Sequence, residues 1–294
     1  MKPDIVAYFD EPTFTVTYLL SDPATKQAAV IDPVLDYDHK SGKVSAHSAQ
    51  RIIDEARAGG LQVAWVLETH VHADHLTAAQ YLKTKTGAKV AVGANVGAVQ
   101  AVFKPIFNDA EVSTDGREFD CLLEDGQRIE VGALEVEVLH TPGHTPACVS
   151  YKAGDAVFVG DTLFMPDYGT ARTDFPGGDA RQLYRSIRRL LSLPPQTRLF
   201  MCHDYKAPGR DRYAWETTVA KERCDNIHIH DGIGETDYAA MRTRRDATLA
   251  APVLLLPSVQ FNMRAGNFPE PEGNGARYLK IPLSLGDDLK RAVD

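Results

Sequence analysis

The sequence predicts a mixed α/β fold in which strands end in polar loops and helices follow some of them. Three observations support this prediction. Short apolar or alternating runs with the character of strands recur along the first two thirds of the chain. Runs with helical periodicity separate several of them. With 294 residues, 44% of them hydrophobic, the chain is also long enough to bury a sizeable core.

The N-terminal part of the chain is expected to form a β-hairpin and then a helix. Strands are predicted at 14–20 and 27–31, joined by a Ser-Asp-Pro turn. Ser45 is the expected N-cap of a helix that continues to about residue 58 and ends at two consecutive glycines. The apolar density of 61–67 predicts a buried strand next.

The buried strand leads into a cluster of ligand-type residues, Thr69-His70-Val71-His72-Ala73-Asp74-His75. A helix predicted from about residue 76 to 86 leaves the cluster, so the cluster lies on a strand-to-helix loop. Neutral imidazole and carboxylate suit a borderline or hard metal ion. The alternatives are a solvated histidine-rich loop and a helix N-cap role for Asp74.

Three further candidate ligands, His144, Asp161 and His203, each directly follow a predicted strand or apolar run. Singly, each is more often an ordinary polar residue than a metal ligand. Together they are expected to converge, because a sheet whose strands end at one edge brings their loops to a single pocket. The sequence therefore predicts that seven side chains meet there, enough for one or two metal ions.

The remaining elements are predicted from alternation and from helix signals. Strands are expected at 128–131, 134–139, 148–151 and 156–159. Asp179 is the expected N-cap of a helix. The outer face of this helix is expected to expose a stripe of three arginines to solvent: Arg181, Arg185 and Arg188. Two short helices, about 215–224 and 235–248, and a tail rich in proline and glycine are expected to follow.

Composition excludes several classes of function. The net charge of −8 and the pI near 5.7 provide no field that attracts nucleic acid. No apolar stretch approaches the roughly 20 residues that a membrane span needs. The N-terminus resembles neither a secretory signal nor a transit peptide, so we expect a cytoplasmic protein. The four cysteines are widely separated, which indicates reduced thiols and neither a thiolate zinc site nor a disulfide framework.

The five segments that carry the candidate ligands resemble those of the metallo-β-lactamase superfamily. The resemblance covers about 14–205 and includes the order His-x-His-x-Asp-His, then His, Asp and His. It implies an αββα sandwich, with two facing sheets, helices outside and metal at one edge. It also implies a catalytic core at 12–205 and a C-terminal extension, 206–294, packed on that core.

Within the superfamily, the chain resembles the persulfide dioxygenases more closely. The segment 69–76 is similar to their Thr-His-x-His-Ala-Asp-His sequence, and His203-Asp204-Tyr205 to their His-Asp-Tyr. Ala171-Arg172-Thr173-Asp174-Phe175 resembles their Gly-Arg-Thr-Asp-Phe, with alanine where the family commonly has glycine. The segments 262–266 and 277–282 resemble a bacterial branch.

This resemblance implies a non-haem Fe(II) dioxygenase of sulfide oxidation that converts glutathione persulfide and O2 to glutathione and sulfite. One Fe(II) per chain would be held by a facial triad of His70, His144 and Asp161. Four residues would support these ligands or hold a second metal: His72, Asp74, His75 and His203. Four more would bind substrate: Arg172, Tyr205, Thr145 and Arg210. Arg242 and Arg245 are, like Arg210, further candidates for binding a carboxylate of the substrate, and a homodimer is compatible with the resemblance.

The ligand set leaves two other functions open. A glyoxalase II-like thiolester hydrolase would use all seven residues to bind two Zn or Fe ions. A metal-stabilised binding protein without turnover is the alternative from another class. A β-lactamase is disfavoured, because those dinuclear enzymes commonly have cysteine where Asp161 stands.

Overall fold

A computed structural model describes residues 2–287, which form two large sheets, one small sheet and seven helices. The strands of the first large sheet are, in spatial order, β1 (Asp4–Asp10), β2 (Thr15–Ser21), β3 (Gln27–Ile31), β6 (Gln62–Leu67), β8 (Lys89–Gly93) and β9 (Cys121–Leu123). Those of the second are β10 (Arg128–Val131), β11 (Leu134–His140), β12 (Val149–Ala153), β13 (Ala156–Phe158), β14 (Arg198–Phe200) and β15 (Glu216–Thr218). The small sheet contains β5 (Lys43–Ser45), β4 (Val34–Asp38) and β7 (Leu76–Thr77).

The helices cover the outer faces of the two large sheets. They are α1 (His47–Ala58), α2 (Ala79–Thr86), α3 (Val96–Ile106), α4 (Ala180–Leu191), α5 (Val219–Asp225), α6 (Glu235–Asp246) and α7 (Leu255–Asn262). Ile52 of α1 and Leu82 of α2 are buried against Val66 of the first sheet. Leu183 of α4 is buried against Leu199 of the second sheet.

The main core lies between the two large sheets. Side chains of β2, such as Tyr18, are buried there with Leu67 of β6, Tyr151 of β12 and Phe158 of β13. The rings of Tyr18 and Phe158 lie 5.0 Å apart, a distance typical of packed aromatic pairs. Helices outside and two sheets inside make the αββα sandwich that the resemblance implied, and the fold prediction is confirmed.

The first predicted elements need two corrections. The hairpin of β2 and β3 is correct, but β1 precedes it and pairs antiparallel with β2. Ser45 does not cap α1, because it ends β5. The Asp36 carboxylate of β4 caps the first turn of α1 instead. It accepts hydrogen bonds from the Ser48 backbone N–H (3.1 Å) and the Ser48 hydroxyl (2.6 Å). A long-range partner of this kind leaves no local sequence signal.

The predicted helix after the histidine cluster begins three residues late. Leu76 and Thr77 pair with Leu35 and Val34 of β4, so they form β7, and α2 begins only at Ala79. The elements β8, α3 and β9 were not predicted from the sequence, and the region of α7 was expected to be an irregular tail.

The arginine stripe of α4 is not a free solvated face. Arg181 and Arg185 form ion pairs with Glu235 at the start of α6. The Arg188 guanidinium donates to the backbone carbonyl groups of His230 (3.2 Å) and Ile233 (2.9 Å). The stripe therefore fixes the C-terminal part of the chain to α4.

The C-terminal region packs on both halves of the sandwich. Tyr238 of α6 is buried with the α4 side chains, and Val259 of α7 is buried on the first sheet. The last residues of the predicted extension, 288–294, lie outside the described residues. Within 2–287, no helix has the length and apolar character needed to cross a membrane.

The N-cap of α4 provides a stability test. The Asp179 carboxylate accepts a hydrogen bond from the Gln182 backbone N–H at 2.8 Å, as predicted. Asp179→Ala should lower the free energy of unfolding by about 1 kcal/mol, because one N–H group of the first helical turn loses its side-chain partner. Urea unfolding of the two proteins measures the difference. Asp179→Asn, which retains an acceptor, is the control and should restore most of the loss; an equal loss in both variants would contradict the capping role.

Candidate metal centre

The loops that carry the candidate ligands meet at one edge of the sandwich. The histidine cluster follows β6 of the first sheet, whereas His144, Asp161 and His203 follow β11, β13 and β14 of the second. Backbone hydrogen bonds join these loops to strands of the opposite sheet: Val149 N–H of β12 donates to Thr69 O at 2.9 Å, and Val16 N–H of β2 donates to Cys202 O at 2.7 Å. This joined edge brings residues from both sheets into one site.

The segment 70–75 alternates between polar and apolar side chains. Val71 and Ala73 are buried in the hydrophobic cluster of the first sheet. The side chains between them gather with the three distant candidates on the opposite side. The structure therefore brings all seven predicted residues together, most of them fully buried: His70, His72, Asp74, His75, His144, Asp161 and His203.

Two imidazoles are held by fixed acceptors on Nδ1. The Nδ1–H of His144 donates to the backbone carbonyl of Arg172 at 2.8 Å. The Nδ1 atom of His70 lies 3.0 Å from the Thr69 hydroxyl, which gives its own proton to Asp32 at 2.8 Å and so must accept from His70. In both rings this leaves the lone pair on Nε2, which is the arrangement that a metal-binding imidazole needs.

His75 and His203 have the same arrangement. The Nδ1–H of His75 donates to the Leu76 carbonyl at 3.0 Å, and that of His203 to the Phe14 carbonyl at 3.3 Å. The Nε2 atom of each ring is buried and has no hydrogen-bond partner in the described chain. Burial and the neighbouring His72 lower the pKa of His75 to about 4, so this ring is neutral at physiological pH.

In His72 the two ring nitrogens have exchanged roles, because Nε2 and not Nδ1 makes the hydrogen bond. Its Nε2–H donates to the Asp32 carboxylate at 2.9 Å and lies 3.5 Å from Glu68, while its buried Nδ1 has no partner among residues 2–287. Burial opposes the charged form of this ring, but the two carboxylates outweigh burial and raise the pKa of His72 well above its usual value. Asp32 thus fixes the orientation of His72 and, through Thr69, that of His70.

The free donor atoms fit a metal ion. The Asp161 carboxylate lies 3.6 Å from His144 Nε2 and 3.3 Å from His203 Nε2, and the Asp74 carboxylate lies 3.4 Å from the same His203 atom. In the Nδ1–H tautomer, the nitrogen lone pairs and the carboxylate oxygens face one another, and the buried His203 Nε2 and Asp161 Oδ1 atoms have no hydrogen-bond partner within 2–287. A bound cation removes this repulsion, so the residues present suit a metal.

The donor atoms form more than one tight group. One ligand atom from each of His70, His144 and Asp161 lies within 4.8 Å of the other two. A second group of the same tightness contains His72, Asp74 and His75. The geometry is therefore compatible with one metal ion in the first group and with a second ion beside it. The division of the seven residues into ligands and supporting groups stays a prediction.

Two residues of this centre were not predicted from the sequence. Neither Asp32 nor Glu68 is among the candidate ligands or substrate residues that the sequence indicated. Both carboxylates are buried, and the Thr77 hydroxyl donates to Glu68. A positive φ of 50° at Asp32, just before proline, is the backbone signal that marks this position as constrained, but it is visible only in the structure.

A cavity of about 1000 Å3 opens onto the cluster. His75, His144 and Asp161 lie in its wall, together with Tyr205 and Arg172 from the predicted substrate set. None of the hydrogen bonds within 2–287 engages the Tyr205 hydroxyl, which leaves it available to a ligand. The Arg172 guanidinium is already engaged by Asp174 (2.6 and 2.7 Å) and by the Ala250 carbonyl (2.7 Å).

The other two predicted substrate residues lie outside the cavity wall. Thr145 is buried in its own turn, where its hydroxyl lies 3.0 Å from Cys148 Sγ. Arg210 has every N–H occupied by Asp167, Asp204 and the Arg212 carbonyl. The structure therefore shows both residues engaged by other groups of the chain, and substrate binding by Thr145 and Arg210 stays a prediction.

Arg245 of α6 differs from the other arginines of the cavity. Arg242 is buried and paired with Asp246, as Arg172 is paired with Asp174. The exposed Arg245 guanidinium also lines the cavity but has no hydrogen-bond or ion-pair partner in the described part of the chain. It is therefore a cation that an anionic ligand can reach without breaking an existing pair.

The loop before His144 depends on a close approach that only glycine permits. Gly143 has a φ of 138°, and a Cβ atom built on it would lie 2.3 Å from the backbone nitrogen of Leu183 in α4. The loop therefore packs directly on the helix, and this contact sets the position of His144.

Gly143→Ala should displace this loop and weaken metal binding. We expect a loss of about 1–3 kcal/mol from the clash, beyond the cost of the backbone conformation, together with a lower metal content after dialysis. The matched control is Gly126→Ala, where φ is also positive (75°) but a Cβ would meet no atom within 4 Å. For each variant, metal analysis measures the metal content and urea unfolding measures the stability. Equal metal content in the two variants would contradict the role of Gly143.

Comparisons with known proteins identify relatives over nearly the whole chain. The family model described as the metallo-beta-lactamase superfamily matches residues 10–203. The chain is 56% identical to a probable metallo-hydrolase of Burkholderia pseudomallei, over 95% of this chain and 98% of that protein. It is 46% identical to the glyoxylase B2 of Dictyostelium discoideum, over 96% and 98% of the two chains. It spans only 65% of a beta-lactamase hydrolase-like protein of Agrobacterium fabrum, to which it is 50% identical over 96% of its own length.

A solved bacterial structure and a mammalian relative, in contrast to the relatives above, both carry the name ETHE1. The crystal structure of ETHE1 from Myxococcus xanthus has a TM-score of 0.71 and 33% identity, and the match covers 90% of this chain and 100% of that one. The mitochondrial persulfide dioxygenase ETHE1 of Mus musculus is 31% identical over 88% of this chain and 87% of the relative.

Proposed function

Because the chain belongs to the metallo-beta-lactamase superfamily, as its sequence predicted, we propose that it is an iron-dependent persulfide dioxygenase that acts on glutathione persulfide. The superfamily and the His and Asp metal site support an enzyme with a metal cofactor and a small-molecule substrate. The choice of iron, of O2 and of the persulfide is the proposal. The cytoplasmic location, the homodimer and the division of the chain near residue 205 belong to it as well.

The observation that carries the proposal is the tight group of His70, His144 and Asp161. Two imidazoles and one carboxylate, with donor atoms within 4.8 Å of one another, are the ligand types of the 2-His-1-carboxylate facial triad. The similarity to ETHE1 proteins, in sequence and in fold, supports the same assignment. A triad of this kind leaves coordination positions open for a sulfur ligand and O2 side by side.

In the proposed reaction, both atoms of O2 are transferred to the terminal sulfur of the persulfide. One water molecule then cleaves the S–S bond, and glutathione and sulfite are released. Bound Fe(II) would supply the redox chemistry that couples O2 to the sulfur. The residues of the chain hold the imidazoles in one tautomer through Arg172 O and Thr69, and the cavity admits a tripeptide-sized substrate.

A dinuclear thiolester hydrolase is the competing proposal, and two observations favour it. The group of His72, Asp74 and His75 provides donor atoms for a second metal. The Burkholderia and Dictyostelium relatives, with higher identity than the ETHE1 proteins, carry the names metallo-hydrolase and glyoxylase. Both proposals use the same cavity, so the metals and the reaction must be measured.

The oxygen assay separates the two activities. Protein purified anaerobically and loaded with Fe(II) should consume O2 when glutathione persulfide is added and release sulfite in equal amount. His144→Ala, which removes an imidazole of the triad, should lose iron and this activity together. Rapid hydrolysis of S-lactoylglutathione without O2 uptake would exclude the dioxygenase proposal and support the hydrolase proposal. The absence of both activities would favour the non-catalytic alternative.

We further propose that Arg245 binds a carboxylate of the substrate, in place of the predicted Arg210. Arg245→Gln should raise KM about tenfold with little change in kcat, since it removes one charge-assisted hydrogen bond to the substrate and leaves the metal-binding residues unchanged. The matched control is Arg244→Gln, because Arg244 is also exposed but does not line the cavity. Steady-state kinetics of both variants test this. Equal KM values for the two variants would exclude the role of Arg245.

A further inference from the structure

Helix α7 reaches the metal loop although it lies far outside the segment that matches the superfamily, residues 10–203. At its last residue, the side-chain amide of Asn262 is buried against the loop. Its Nδ2 group donates to the backbone carbonyl groups of His72 (2.9 Å) and His75 (2.7 Å). Its Oδ1 atom accepts from the Thr77 backbone N–H at 2.8 Å. One side chain thus satisfies three buried backbone groups of the loop.

Only an asparagine-sized amide meets this requirement. The loop offers two carbonyl acceptors and one N–H donor, and the amide group of asparagine supplies two donors and one acceptor. The two carbonyl groups bracket the segment Ala73-Asp74, so the same hydrogen bonds fix the turn that presents Asp74 and His75 to the metal. Without them, the carbonyl groups would be buried and unpaired, at a cost that favours rearrangement of the loop.

The surrounding packing connects α7 to the same loop. Val259 and Met263 are buried in one cluster with Val71 and Ala73, the two apolar side chains between the metal-facing residues. Just after the helix, Gly266 has a φ of 79°, and a Cβ atom there would lie 3.1–3.2 Å from Thr77. The loop therefore rests on α7, while its polar side chains point away from it into the metal centre.

We propose that Asn262 is a positioning residue of the metal centre, so that the C-terminal segment completes a site whose side chains all come from the core. Asn262 acts through the backbone of 72–75 and touches none of the seven donor groups. The proposal holds for a dioxygenase and for a hydrolase alike, because it concerns the loop and not the reaction. Its test therefore uses metal binding and leaves substrate turnover aside.

The test compares Asn262→Asp with Gln260→Ala in the full chain. Aspartate keeps the size and the acceptor for Thr77 but replaces the amide donors by an oxygen that repels the two carbonyl groups. Its affinity for Fe(II) and for Co(II), measured by chelator competition, should fall about tenfold or more, as for other groups that orient metal ligands. The visible absorption spectrum of the bound Co(II) should change as well, because the ligand arrangement changes.

Gln260 is the matched control on the same helix. It is also buried, but its amide bonds Leu256 and Lys280 and makes no contact with the metal loop. Gln260→Ala should lower the melting temperature of the metal-free protein while metal affinity and the Co(II) spectrum stay as in the wild type.

Two results would overturn the proposal. One is an Asn262→Asp protein with wild-type metal affinity and an unchanged Co(II) spectrum. The other is an equal loss of metal affinity in Gln260→Ala, which would mean that any weakening of α7 has the same effect. Should the aspartate variant fail to fold, Asn262→Ala removes the same donors without adding charge. Its metal affinity and Co(II) spectrum are then compared with those of Gln260→Ala, and the same two results would overturn the proposal.

Discussion

The structure depends on one constraint: each imidazole of the site is held by a hydrogen bond from one nitrogen, so that the other nitrogen is fixed toward the centre. Backbone carbonyl groups hold His75, His144 and His203, whereas Thr69 holds His70 and Asp32 holds His72. Because these acceptors belong to strand ends and loops of both sheets, the donors converge only where the two sheets of the sandwich meet. Burial lowers the pKa of His75, and a cation is the natural partner of the buried donor atoms that face the centre.

The sequence predicted the parts of the fold that depend on local patterns. Alternating and apolar runs located β2, β3, β6 and β10 to β13, and the Asp179 cap located the start of α4, whereas β15 lies at the start of a predicted helix, 215–224. The pattern failed where a distant residue decides the local structure. Asp36, and not Ser45, accepts the hydrogen bonds at the start of α1. Leu76 and Thr77 form a strand and not the start of a helix, because they pair with β4. The helix α7 was not predicted because its proline and short length resemble a tail.

The same distinction applies to the site. Histidine and aspartate spacing found all seven residues that the structure gathers, because ligand types are visible in the sequence. It did not find Asp32, Glu68 or Asn262, since an ordinary polar residue becomes important only through its contacts across the fold. Arg210 is the opposite example. The sequence indicated that its guanidinium group could bind the substrate, but in the structure this group forms ion pairs with Asp167 and Asp204.

Whether the seven residues act as three ligands with four supporting groups, or as two metal sites, decides between the proposed oxidation and the competing hydrolysis. X-ray absorption at the iron edge of anaerobically purified protein measures this directly. For three ligands with four supporting groups, we expect one iron per chain, bound by imidazole and carboxylate ligands, with no scattering from a neighbouring metal. A second metal ion at full occupancy, seen as metal–metal scattering, would contradict it.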